Sequence, residues 1–141
     1  MMKKLLGIVV LSLLLSVNVK AEGCIEGDCD NGTGTYIFSD GGKYSGQWKN
    51  LRQHGKGSAT LASGSTYEGD WSNGLISGKG IYTWAPGTGG PWKKYDGSFV
   101  NHKKHGVGIL TYIDGRTFNV VFNNDNLEKE KLIIVKEKKE K

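Results

Sequence analysis

One phrase governs what this chain can fold into, because it returns at a near-fixed period. Tyr44-Ser45-Gly46-Gln47-Trp48 recurs as Tyr67-Glu68-Gly69-Asp70-Trp71 and as Tyr95-Asp96-Gly97-Ser98-Phe99. A degraded copy is Phe118-Asn119-Val120-Val121-Phe122. Each of the first three is followed by Gly-x-Gly, at Gly55/Gly57, Gly78/Gly80 and Gly106/Gly108, and an unpaired Gly32/Gly34 precedes them all. The copies lie 23, 28 and 23 residues apart. Such a period marks stacked supersecondary units, not a single core around a central active site.

Each unit reads as a β-hairpin. Side chains alternate along a strand, so Tyr67, Gly69 and Trp71 share one face and Glu68 and Asp70 the other. The glycine between two rings leaves a shelf for a ring of a neighbouring unit. Ser72-Asn73-Gly74 then turns the chain, which returns through Gly78, Gly80, Tyr82 and Trp84, again expected on one face. The matching sets are Gly55, Gly57, Ala59, Leu61, then Gly106, Gly108, Leu110, Tyr112, and Gly32, Gly34, Tyr36, Phe38 in the leading half-unit. Turns at residues 39–41, 62–64 and 113–115 lead into the next unit. With 22 glycines and 2 prolines, the composition disfavours helices and suits turns. The expected fold is all-β, an elongated twisted antiparallel sheet of stacked hairpins. Val120, where the phrase calls for glycine, is expected to cap the stack, since no further ring follows it.

Tyr-x-Gly-x-Trp/Phe, a turn, and Gly-x-Gly on a period of 23 resemble the MORN repeat (membrane occupation and recognition nexus). The resemblance runs from Gly32 to about Phe122, as repeats near 44–66, 67–94 and 95–117 with a half-repeat at each end (array 32–126). Residues 28–35 are also similar to the start of small exported bacterial members. The resemblance implies an antiparallel sheet of hairpins that binds or assembles and does not catalyse. In the family such arrays have been linked to phospholipid contact and to protein assembly.

The ends of the chain have a different character. Lys3 and Lys4 precede an apolar run over residues 5–17, which at 13 residues is shorter than the roughly 20 needed to span a bilayer. Residues 1–21 therefore read as a secretory signal peptide cleaved after Ala21, placing the mature chain in the periplasm or at the envelope. The lead-in, residues 22–31, holds the only two cysteines, Cys24 and Cys29. An oxidising compartment favours a disulfide between them; acylation of Cys24, as in a lipoprotein, is the alternative, and the two exclude each other. Residues 127–135 are expected to form a closing strand or a capping helix, followed by a charged tail to 141. The net charge of +5 comes from the two ends, while the stretch between is balanced, which argues against a nucleic-acid partner.

No nucleophile elbow, acid/base pair or metal-ligand spacing is present, so neither catalytic residues, nor a metal, nor a cofactor is expected. His54 and His105 occupy one repeat register, with Ser77 as their counterpart. The repeat-defining Tyr44, Gly46, Trp48, Gly55, Gly57, Tyr67, Gly69, Trp71, Gly78, Gly80, Tyr95, Gly97, Phe99, Gly106 and Gly108 are read as packing residues first. The longer second spacing marks a loop over residues 85–94 that carries both prolines. Trp92, Lys93 and Lys94 on it are the candidate contact residues. Residues 102–105 (His-Lys-Lys-His) read as a solvated hairpin turn on the opposite edge. The leading expectation is an exported scaffold binding a protein, a second copy of itself included. The alternatives are a phospholipid surface met through Trp92, Lys93 and Lys94, and a glycan stacked on the rings.

Overall fold

The computed structural model describes residues 22–133, so the signal peptide expected over residues 1–21 and the tail beyond Ile133 lie outside the described residues. Ten strands follow one another: β1 (Gly23–Gly27), β2 (Thr33–Ile37), β3 (Lys43–Lys49), β4 (Arg52–Thr60), β5 (Thr66–Ser72), β6 (Leu75–Thr83), β7 (Trp92–Val100), β8 (Lys103–Tyr112), β9 (Thr117–Asn123) and β10 (Asn126–Leu132). They form one open sheet in sequence order, every neighbour antiparallel. No helix occurs among the described residues. The hairpin reading therefore holds along the whole array.

The phrase residues pair across the sheet in a repeating register. Gly46 faces Gly57, Gly69 faces Gly80, and Gly97 faces Gly108. After each such pair the register slips: Trp48 faces Gln53, Trp71 faces Ile76, and Phe99 faces Lys104. Three residues on the returning strand thus oppose one on the leading strand. The first glycine of Gly-x-Gly sits in this irregularity with left-handed backbone, as at Gly78 with φ 103°. A side chain is strained there, which is why glycine recurs at that place. This corrects the expectation that both glycines of the pair follow plain alternation.

The second glycine has a different role. A Cβ on Gly57 would overlap the Tyr44 ring, one on Gly80 the Tyr67 ring, and one on Gly108 the Tyr95 ring. The same tyrosine also reaches the shelf glycine of its own phrase, Tyr44 at Gly46, Tyr67 at Gly69 and Tyr95 at Gly97, so the ring at each shelf belongs to the same repeat. The expectation of a ring from a neighbouring unit is corrected: the shelf is filled from within, and adjacent units meet through the tyrosine and the next tryptophan instead.

The core is consequently a ladder of rings on one face. Tyr44 packs edge-on against Trp48 at 5.1 Å and Trp71 at 5.0 Å. Tyr67 bridges Trp71 and Phe99, and Tyr95 bridges Phe99 and Phe122, all within 5.2–5.4 Å. Each such pair adds roughly 0.5–1.5 kcal/mol beyond area burial. Val120 is buried at the last rung, facing Gly108 on one side and Glu130 on the other. Of the two forms expected beyond residue 127, the strand is found. β10 extends the sheet at its edge and leaves the ring face uncovered, with Glu130 Oε1 accepting the Tyr112 hydroxyl at 2.6 Å.

Candidate functional site

The ring face is the part of the molecule with the most distinctive chemistry. Tyr44, Tyr67 and Tyr95 are almost wholly buried, and each hydroxyl donates to the carbonyl three residues on, at Gln47, Asp70 and Ser98. Burial pushes the Tyr44 phenol up to about 12, against the opposing pull of a backbone hydrogen bond, and raises the other two for the same first reason. These phenols stay neutral and structural. The indole N–H of Trp48 donates to Gly34 and that of Trp71 to Gly57, so each tryptophan is also pinned to the preceding unit. Phe99 has no N–H with which to repeat this.

The two ends of the face differ. Towards the C-terminal end, Trp84 packs against Tyr82 at 5.0 Å and Trp92 at 5.5 Å, and Trp92 reaches Phe122 at 6.0 Å. Lys104 lies among them, its ammonium 5.6 Å from the centre of Trp84 and 5.4 Å from that of Phe122. It is paired with Asp125 at 2.6 Å, and its side chain is 16% exposed. Burial works against ionisation of Asp125, but hydrogen bonds from the Lys104 side chain and N–H outweigh it and hold the carboxyl below the usual carboxylate range.

Towards the N-terminal end the face is open. Tyr36 and Phe38 pack at 4.9 Å, and Tyr36 and Trp48 at 5.9 Å, but the first repeat returns through Ala59 and Leu61, where the second has Tyr82 and Trp84. The smaller side chains leave a groove between Phe38 and Trp71, bordered by Gln53 and His102. It adjoins a larger cleft of about 630 Å³ at the lead-in, lined by Tyr36, Phe38, Trp48 and Leu51 together with Asp28 and Asp30. The Cys24–Cys29 disulfide, with its Cα atoms 6.0 Å apart, forms one wall.

The expected contact residues are placed differently from the sequence reading. Trp92, Lys93 and Lys94 begin β7 and are not part of the loop, which spans residues 84–91. Trp92 is half-buried with its ring on the array, Lys93 is exposed and Lys94 is half-buried. The loop is tied down at its start: Ala85 N–H donates to the buried Ser65 hydroxyl at 3.0 Å. His102 lies in the turn, and His102, Lys103 and His105 are exposed as expected, but Lys103, Lys104 and His105 belong to β8 and Lys104 is packed under two rings, which corrects the solvated-turn reading at that residue. Sequence reasoning missed Lys104. Its only signal was register, since Gln53 and Ile76 hold the same place two residues before Gly-x-Gly. His54 Nδ1 accepts the Asn73 N–H at 3.5 Å and His102 Nδ1 the Ile76 N–H at 3.4 Å, so these two histidines brace neighbouring turns.

The opposite face is polar over the first two repeats, where Lys56 pairs with Asp70 and the Lys79 ammonium donates to Ser98. It becomes apolar over the third, where Val107 and Ile109 are exposed.

The profile of the MORN repeat matches residues 31–43, 44–66, 67–89 and 95–115, more than half of the 141 residues. The chain belongs to the MORN repeat family. Residues 90–94, between the third and fourth matches, contain the end of the long loop and the start of β7. No curated protein matches the chain. MORN repeats are generally non-catalytic and point to a binding or scaffold module.

Proposed function

We propose that this MORN array is a non-catalytic scaffold, exported to the cell envelope, that assembles with a protein. The observation that carries this reading is how the repeat-defining side chains are used. The tyrosines, tryptophans and Phe99 of the phrase are buried against one another. They build a frame and leave other positions to meet a partner. Exposed apolar side chains are spread over the described residues; among them are Val107 and Ile109 on the outer face, Ile113 at a turn, and Ile25 and Leu51 near the lead-in. Exposed apolar side chains beside polar ones suit a protein partner. The inward packing of Trp92 favours this over a lipid surface, which would draw on an outward-turned indole.

Light scattering on the purified mature chain, with capture from an envelope fraction, tests the reading. A defined oligomer or a reproducible captured protein supports it. A strict monomer that captures nothing rejects it. Export is tested by mass spectrometry: the expected mature chain begins at Glu22, with Cys24 disulfide-bonded and not acylated.

A further inference from the structure

The ring face holds a cation at one end and has an acid in the same place at the other. The repeat makes the two places comparable. The N–H groups of Leu51, Gly74, His102 and Asp125 donate to the carbonyls of Asp30, Gln53, Ile76 and Lys104 respectively, at 2.9–3.1 Å. These four carbonyl residues therefore stand at one structural position, two residues before Gly-x-Gly. In the third repeat the position is Lys104, whose ammonium lies over Trp84 and Phe122 and against Asp125. In the leading half-unit it is Asp30. Trp48 there takes the place of Phe122, and Leu51 that of Asp125.

The cleft at Asp30 has aromatic walls and an acidic rim. Its volume of about 630 Å³ lies within the roughly 300–1,000 Å³ of ligand clefts. Among the described residues no lysine, arginine or histidine lines it. Asp28 is engaged by the N–H groups of Asp30 and Asn31, while among the described residues no cation pairs with the Asp30 carboxylate. Ring faces attract cations, and a carboxylate beside them adds to that attraction. A purely apolar occupant would cover Asp30 without neutralising it, at a desolvation cost.

We infer that this cleft receives a lysine side chain of a partner protein, its ammonium against Asp30 and the rings of Tyr36, Phe38 and Trp48, as Lys104 fills the corresponding gap from within. The inference rests on the scaffold reading and names the chemistry of its partner.

The test is an NMR titration of the full mature chain with a blocked Leu-Lys-Leu peptide and its acetyl-lysine counterpart. Saturable shifts of the Trp48 indole N–H and the Leu51 amide with the lysine peptide alone are expected. Asp30→Asn should weaken binding about fivefold or more. Asp30→Lys should abolish it, because the chain then carries its own lysine there. An equal response to acetyl-lysine, shifts confined to other regions, or unchanged binding by Asp30→Lys overturns the inference. Envelope capture repeated with Asp30→Lys separates the two readings. Capture kept by this variant overturns the lysine site and leaves the scaffold standing. A wild-type chain that binds the lysine peptide but captures nothing and stays monomeric overturns the scaffold reading alone.

Discussion

The two ends of the ring face are made by the same repeat, yet one is filled and the other is open. At the filled end, Tyr82, Trp84 and Trp92 close over the sheet and Lys104 occupies what remains, neutralised by Asp125. At the open end, Ala59 and Leu61 stand where Tyr82 and Trp84 would be, with Ile76 in the place of Lys104; one unit earlier Asp30 holds that place, with no preceding unit to supply a counterpart of Trp84. The ladder of Tyr and Trp/Phe rungs beneath is shared by both. The backbone plan thus belongs to the phrase, while exposure and charge belong to a few positions outside it. A MORN array of this kind alters its surface without altering its frame.

The largest effects should come from the shared frame. Trp71→Ala removes a buried ring that touches Tyr44 and Tyr67, and should cost about 3–5 kcal/mol in chemical denaturation. Gly80→Ala should cost about 3 kcal/mol, since its methyl would meet the Tyr67 ring. If either is tolerated, the frame is not common to the two ends in the way described. Reducing the Cys24–Cys29 disulfide should cost roughly 2 kcal/mol at most, because the closed loop is short. Its effect should be confined to the open end, read as amide exchange in β1 and β2 with β8 and β9 unchanged. Lys104→Met keeps much of the packing and loses the ion pair, and should cost about 1 kcal/mol at neutral pH.

The smallest effect is a pH dependence at the filled end. Asp125 is held below the ordinary carboxylate range in the folded chain, against burial, by its hydrogen bonds to Lys104. A depressed folded value means that its contribution is complete above the unfolded value, about 4, and is lost as pH falls through the folded one. Asp125→Asn should flatten the acid limb of the thermal stability profile; an acid limb unchanged by this variant would show that the Lys104–Asp125 pair contributes nothing to it.

Most of the frame was legible in the sequence because it depends on period and alternation. Tyr67-x-Gly69-x-Trp71 and Gly78-x-Gly80 specify a hairpin wherever they occur, and the structure has one at each. What was not legible depends on events that break alternation. The register slip opposite Asp70, absorbed at Gly78, decides that Tyr67 lies over its own Gly80 and not over a neighbour's glycine. Local sequence puts Trp92 in a loop, because the second spacing is longer and residues 85–94 hold both prolines. Its pairing with Tyr112 across the sheet, a contact between residues distant in sequence, makes it the first residue of β7. Lys104 resembles one more solvated lysine, since nothing local indicates that Trp84, just after β6, and Phe122 on β9 converge on it.

The strict sequence order of the ten strands has a mechanical consequence. The described chain begins on one outer strand and ends on the other, roughly 43 Å across the sheet at the usual strand spacing. Tension applied through the two ends pulls across the strands and not along them. Such a load opens one hairpin before the next and meets only a few hydrogen bonds at any moment. Tethered at both ends, the molecule would yield stepwise at low force, the repeats releasing 23, 28 and 23 residues of slack, and would zip closed again when the load is removed.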